Sequence, residues 1–364
     1  MRAGYEHPVD GRDRTRKNSN TVTMHMVAAL AGVSPMSVSN VINGRTVRPK
    51  TREAVLEAIE KLRYKPNVAA RALASASTLK IGLIYNSPES AFVSALLVGA
   101  LDAATRCGAQ LLIRRFGERP GQSLADVLHE LVVGDGANAL LLTAPYCERV
   151  SGTGLLAELG VPVVALCAGD ELPDMLSVRV DDFAAAKEMT THLLDLGHRR
   201  IGFIRSAKTH TAYRTRYEGY RGALEAWGIP YDPALVAEGD FTFDSGLTAT
   251  EKLLALPDPP TAIFASNDDM AAAVVSVVHR RGIRIPDELS VAGFDDSPIS
   301  RKVWPQITTI RQPIVEMTRL AVDVLRRLFE AAPGDPEPQA PCQAHMLIQR
   351  PSTGQLLQPP PEVS

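Results

Sequence analysis

Two groups of side chains in this sequence have types and spacings that suit binding. Arg45, Arg48, Lys50, Arg52, Lys61, Arg63 and Lys65 form a dense positive field near the front of the chain. Such a field follows a phosphate backbone and makes binding steeply salt-dependent. Far downstream, Asp295 ends the apolar run 290–294, and the end of such a run is where α/β proteins place ligand groups. Catalysis has no comparable support. There is no Gly-x-Ser-x-Gly and no P-loop, and the 8 histidines pair with no obvious nucleophile. The 4 cysteines, Cys107, Cys147, Cys167 and Cys342, are scattered without metal-ligand spacing and read as reduced thiols of a cytoplasmic protein. The expectation is a binding protein, not an enzyme, with no metal and no cofactor.

The charge distribution separates the two groups. The 364 residues carry 39 Lys+Arg and 41 Asp+Glu, a net charge of −2. Residues 1–75 hold 13 basic and 6 acidic groups, a balance of +7, which leaves −9 on residues 76–364. A basic front on an acidic body implies a nucleic-acid module joined to something else. Hydrophobic content of 45% and charged content of 22% allow a packed core. No apolar run approaches the roughly 18–20 residues a membrane span needs, so no membrane partner is expected. The first 20 residues lack the apolar segment of a secretory signal and read as a flexible arm.

These residues need elements to position them. Over 21–65, apolar residues fall at helical spacing in three runs: Met26, Val27, Leu30; then Val38, Val41, Ile42; then Val55, Leu56, Ile59, Leu62. Thr23 can cap the first, and Ser34 the second, with Pro35 at the first helical position; Thr51 lies near the start of the third. The tight turn around Gly32 joins the first two into a helix-turn-helix. Residues 66–78 read as a short alanine-rich helix and a linker. From Leu79 the pattern changes. Short apolar runs at 81–85, 110–113, 139–142, 161–165, 201–204, 261–264 and 289–292 alternate with amphipathic stretches at 91–107, 122–134, 183–196, 214–227, 245–256 and 268–282. This alternation predicts parallel sheets covered on both faces, and 79–350 is long enough for two α/β lobes. The proline-rich tail 351–364 is expected to be disordered.

The segment Val22-Thr-Met-His-Met-Val-Ala-Ala-Leu-Ala-Gly-Val-Ser-Pro-Met-Ser-Val-Ser-Asn-Val-Ile-Asn43 resembles the DNA-binding head of the lactose-repressor (LacI/GalR) family of bacterial transcription regulators. So do Thr51-Arg-Glu53 and Tyr64-Lys-Pro-Asn67. Leu196-Gly-His-Arg-Arg-Ile-Gly202, Ala265-Ser-Asn-Asp-Asp-Met-Ala271, Ser290-Val-Ala-Gly-Phe-Asp-Asp296 and Leu347-Ile-Gln-Arg-Pro-Ser-Thr353 resemble later family blocks, in order and at family spacings. The resemblance implies an all-α helix-turn-helix head, a hinge helix, and a two-lobed α/β core like that of periplasmic binding proteins. It also implies a homodimer that binds palindromic double-stranded operator DNA as a repressor, under control of a small effector held between the lobes.

By this resemblance the second helix, 35–43, enters the major groove. Ser34, Ser37, Ser39 and Asn43 match phosphate-binding positions. Pro35, Met36 and Asn40 match base-reading positions. Pro35 and Met36 can touch a thymine methyl, whereas Asn40 can pair with adenine N6/N7, worth about 1–3 kcal/mol of discrimination. Leu73 matches the leucine that wedges into the minor groove, with Asn67 and Arg71 flanking it. For the effector, Asp295, Asn267, Arg216 and Phe241 match family ligand groups. Gln312 lies on a crossover between lobes, and Asn86 and Phe92 follow the first strand of the other lobe. Asp268 and Asp296 read as caps or anchors, Asp181-Asp182 as a cap or a ligand pair, and Trp304 as a ligand-stacking or lobe-stapling residue. Ala184 stands where another family aspartate is expected, so the ligand contacts differ from those of the lactose type. A sugar is the leading effector class and a nucleobase the alternative; a solute-binding protein without a transcriptional role is a further alternative.

Overall fold

A computed structural model describes residues 24–42, 47–62, 78–86, 90–117, 120–206, 210–332, 334–336 and 338–356. The chain divides into two compact units, parted between Ser77 and Thr78. In the first, helices α1 (Met24–Ala31), α2 (Pro35–Ile42) and α3 (Pro49–Lys61) enclose a small core. Val27, Ala28, Val38, Val41, Val55 and Ala58 are buried there, one helical face from each element. The third helix starts at Pro49, ahead of Thr51; a proline fits the first helical position because its missing N–H has no intrahelical partner anyway. The caps expected from Thr23 and the hinge helix expected over 66–74 lie outside the described residues.

The second unit holds two parallel-sheet lobes. In lobe 1 the strands β1 (Lys80–Tyr85), β2 (Gln110–Arg115), β3 (Ala139–Thr143), β4 (Val163–Leu166) and β5 (Leu176–Val178) are ordered β2-β1-β3-β4-β5. Alternation along each strand feeds two cores. Ile81, Leu83, Ala139, Leu141, Val164 and Leu166 face one layer. Ile84, Leu140, Leu142, Val163 and Ala165 face the other. Strands buried on both faces must be apolar throughout, which is why these runs show in the sequence. Helix α4 (Ala91–Arg106) covers the first layer. Helix α5 (Leu124–His129), closed by a capping box between Ser123 and Asp126, covers the second, with a π-turn over Glu130–Gly134 continuing it. Two short helices, α6 (Tyr146–Val150) and α7 (Leu155–Leu159), complete that side.

Lobe 2 contains β6 (Ile201–Arg205), β7 (Val236–Glu238), β8 (Ala262–Ala265), β9 (Ser290–Asp295), β10 (Thr308–Arg311) and β11 (Met346–Ile348), ordered β11-β10-β9-β8-β6-β7. Among the described residues β11 is the antiparallel member. Phe203, Phe264, Ala292 and Phe294 face one layer with α8 (Asp182–Asp195) and α9 (Ala212–Ala226). Ile204, Ile263, Ala265 and Val291 face the other with α10 (Phe243–Leu254) and α11 (Asp268–Arg280).

A final helix, α12 (Ile314–Glu330), returns to lobe 1, where Ile314, Met317, Ala321, Val322 and Leu325 join the layer under α4. The backbone thus passes between lobes after β5, after β10 and after α12. Two of these passages touch: the Gln343 amide donates to the Arg179 carbonyl at 2.8 Å, and Val180 bridges Gln343.

The first six residues of the tail expected to be disordered are ordered. Residues 351–356 are packed on lobe 2: Ser352 is fully buried, its hydroxyl accepts from the Thr308 amide at 2.8 Å, and its amide donates to Gln306. Gly354 donates to Ser290. The proline-rich composition concealed a segment held by backbone hydrogen bonds; 357–364 lie outside the described residues.

Candidate nucleic-acid interface and effector cleft

In the head, the Ser34 hydroxyl accepts the Ser37 amide at 3.2 Å and lies 3.0 Å from the Ser37 hydroxyl. Ser34 therefore caps α2, as its position before Pro35 implied, and it remains exposed. Ser37 and Asn40 are half-buried on the same helix. Pro35, Met36 and Ser39 lie in the helical backbone of α2, with side chains outside the description, and Asn43, Asn67, Arg71 and Leu73 lie outside the described residues altogether. Arg48, Lys50 and Arg52 are exposed at the start of α3, a grouping that suits phosphate contact.

In the core, five residues expected at an effector site converge at the carboxyl ends of lobe 2 strands. Arg216, on α9, is buried. Its Nε donates to Asp182 Oδ1 at 2.6 Å, and its Nη1 donates to the Ser266 carbonyl at 2.6 Å. The same Nη1 stands 3.9 Å from Asp295 Oδ1. The guanidinium lies over the Phe294 ring, 3.7 Å from its centroid, and 6.0 Å from that of Phe241. Gln312 Nε2 donates to Asp295 Oδ1 at 2.7 Å. Asn267 accepts the Met270 amide, capping α11, while its Nδ2 donates to the Phe241 carbonyl at 2.8 Å. One asparagine thus links the start of α11 to the loop that presents Phe241.

Burial pushes the Asp295 carboxyl up to about 6, against the opposing pull of Arg216 and Gln312. Behind it, burial holds Asp268 well above the usual carboxylate range. Asp268 accepts from the Ser297 amide and the Thr309 hydroxyl, so it is a loop anchor. Asp296 is also an anchor, tied to Arg350 and Arg311. The acidic pair splits its roles: Asp181 caps α8 through the Ala184 amide, and Asp182 turns inward to Arg216.

Two participants had no signal in the sequence. The His210 ring meets Phe241 edge-on at 5.1 Å, and burial, with help from Arg216, lowers its pKa to about 4, so it is neutral. Cys167, at the end of β4 in lobe 1, has its thiol pushed far up, first by burial and then by the charges of Asp182 and Asp295. Its side chain packs against the lobe 1 core. Neither residue sits in a recognisable motif, and chain folding alone brings them here. Among the described residues, the non-glycine positions with positive φ are Cys167 (58°), Phe241 (73°), Asp295 (107°) and Asp296 (54°). Such conformations cost of order 1–3 kcal/mol each, and they cluster where side chains must be aimed at a site.

On the lobe 1 side, Asn86 follows β1, and Phe92, in the first turn of α4, packs partly against the lobe 1 core. Trp304 is 77% exposed. Among the described residues no cluster of His, Cys, Asp and Glu could hold a metal ion, and no helix is long and apolar enough to cross a membrane.

Comparison with known proteins gives a family match within each unit. The family model for bacterial regulatory proteins of the lacI family matches residues 23–67, and that for the periplasmic binding protein-like domain matches 190–353. The transcriptional regulator CelR of Thermobifida fusca is 36% identical over 318 residues, covering 83% of this chain and 91% of that protein. A solved CelR–cellobiose complex superposes with a TM-score of 0.67 at 32% identity, covering 91% of this chain and 99% of the other. The Lac repressor dimer bound to operator and the anti-inducer ONPF gives 0.69 at 27% identity, covering 92% and 100%.

Proposed function

The chain belongs to the lacI family of bacterial regulatory proteins and is a DNA-binding transcriptional regulator, not an enzyme; on that premise we propose that it is a cytoplasmic homodimeric repressor whose effector is a neutral sugar. The observation that carries the effector class is the state of Arg216. Its guanidinium is already committed to Asp182, the Ser266 carbonyl and Asp295. A phosphorylated or carboxylate ligand would meet an acid-rich rim with its cation already neutralised. Hydroxyl groups, by contrast, can donate to Asp295 and accept from Gln312 and Asn267, while Phe241 covers an apolar sugar face. Asn86 and Phe92 close the cleft from lobe 1. The cellobiose bound by CelR is a ligand of this kind. In the head, Asn40 reads a base, Pro35 and Met36 make apolar base contacts, and Ser34, Ser37, Ser39 and Asn43 hold phosphate. Asn67, Arg71 and Leu73 form the minor-groove hinge on a palindromic operator.

A nucleobase is a second reading, favoured by the Phe241–His210 aromatic pair, against which a planar ring could stack. Thermal unfolding of the purified chain with mono- and disaccharides, and separately with nucleobases, decides between them. A ligand at 100 times its Kd stabilises by about 2.7 kcal/mol. A shift with sugars alone supports the proposal; a shift with nucleobases alone overturns it.

A further inference from the structure

Helix α9 carries Arg216, yet Thr211 at its start makes no side-chain cap of its own. The missing acceptor comes from the other lobe. Glu148, on α6 of lobe 1, accepts the Thr211 amide at 2.9 Å through Oε2 and the Thr211 hydroxyl through Oε1. The same Oε1 accepts the Gly169 amide at 3.3 Å, and that amide also donates to the Thr211 hydroxyl oxygen at 2.8 Å. A helix N-terminus presents free N–H groups and a partial positive charge, so a carboxylate there is favoured.

The approach is close enough to exclude a side chain at Gly169. A Cβ there would lie 2.5 Å from the Ala212 amide nitrogen and 2.6 Å from the Thr211 hydroxyl oxygen. Nearby, Asp170 pairs with Arg214 across the same seam; both side chains are about half exposed, so that pair is the lesser contributor.

We propose that Glu148 is an interlobe strap. It supplies the N-terminal cap of α9 from across the cleft, holds the lobes together before any effector arrives, and positions Arg216 a little over one turn along the helix. The strap is independent of which effector binds.

Hydrogen–deuterium exchange of the full chain without effector tests this, using wild type, Glu148→Ala, Glu148→Gln and Gly169→Ala. In Glu148→Ala and Gly169→Ala, peptides over 166–172 and 210–216 are expected to exchange together at least about tenfold faster, the ratio for losing even one of the three charged hydrogen bonds that Glu148 accepts. Glu148→Gln, which keeps one acceptor oxygen, should fall between them and wild type. Peptides over α4 and α11 should keep wild-type protection. Unchanged exchange over 210–216 in both alanine variants overturns the proposal, as does a change confined to 145–150, which would make Glu148 a support of lobe 1 alone. If Glu148→Ala loses protection everywhere, Glu148→Gln decides, because it keeps the side chain's shape and removes its charge: faster exchange over 166–172 and 210–216 supports the strap, and wild-type exchange there overturns it.

Discussion

Replacing Asp295 by asparagine should make the core more stable and effector binding weaker. The carboxyl is 13% exposed in its side chain, and its pKa is raised by burial from 3.8 to about 6. Between those values the folded chain binds a proton that the unfolded chain has released. Stability is therefore fully present below the unfolded value and is lost as pH rises through the folded one. At pH 7.5 the ionised carboxylate costs about 3 kcal/mol, from roughly two units at about 1.4 kcal/mol each. Asparagine keeps the shape and the oxygen that accepts from Gln312, but it carries no charge. The variant should unfold about 6 °C higher at pH 7.5, taking roughly 2 °C per kcal/mol for a core of this size. The two proteins should converge near pH 4, where both are neutral. Sugar affinity should fall by about 10–100-fold, because a charged acceptor has been replaced by a neutral one. Thermal unfolding across pH 4–8, with titration calorimetry for binding, measures both effects. An asparagine variant less stable at pH 7.5, or a difference that does not shrink on acidification, would refute the assignment of Asp295 as a buried, strained carboxylate.

Effector binding by the wild type should weaken roughly tenfold between pH 7 and pH 5, because hydroxyl donors need the ionised form of Asp295; calorimetry at the two pH values reads this. Removal of residues 1–75 should abolish operator binding while leaving effector binding intact, and a truncated core that still retards operator DNA would sink the division of labour. Leu73→Ala should weaken specific operator binding much more than non-specific binding, and equal losses in a competition assay would reject the wedge role. Asn40→Ala should relax base preference by about 1–3 kcal/mol at a single operator position, measured against single-base operator variants.

The parts of the core visible in the sequence are those with a local physical signature. Strands such as Ala139–Thr143 are apolar at every position because both faces are covered, and Asp295 stood out by ending one. Strands Leu176–Val178, Val236–Glu238 and Met346–Ile348 are three residues long, too short for any period to declare itself. Helix Ile314–Glu330 has a clear apolar face, but nothing local shows that it completes the distant first lobe. At the candidate site, Arg216 and Asn267 stand at positions that the family resemblance singles out. That Asp182, not Asp181, turns inward to Arg216 depends on where α9 crosses α8, which no spacing reveals. His210, Cys167 and Glu148 escaped for the same reason: each acts through a neighbour far away in the chain.

The triple passage of the backbone between lobes has a mechanical consequence. A single strand between two bodies leaves them free to swing and spin about it. Three strands, two of them hydrogen-bonded to each other through Arg179 and Gln343, behave as the leaves of a flexure. Spinning would stretch at least one leaf against trans peptide geometry, which yields very little. Bending changes only the dihedrals of the residues within the leaves. Bending at the leaves is therefore the motion that this connection opposes least, whatever occupies the cleft.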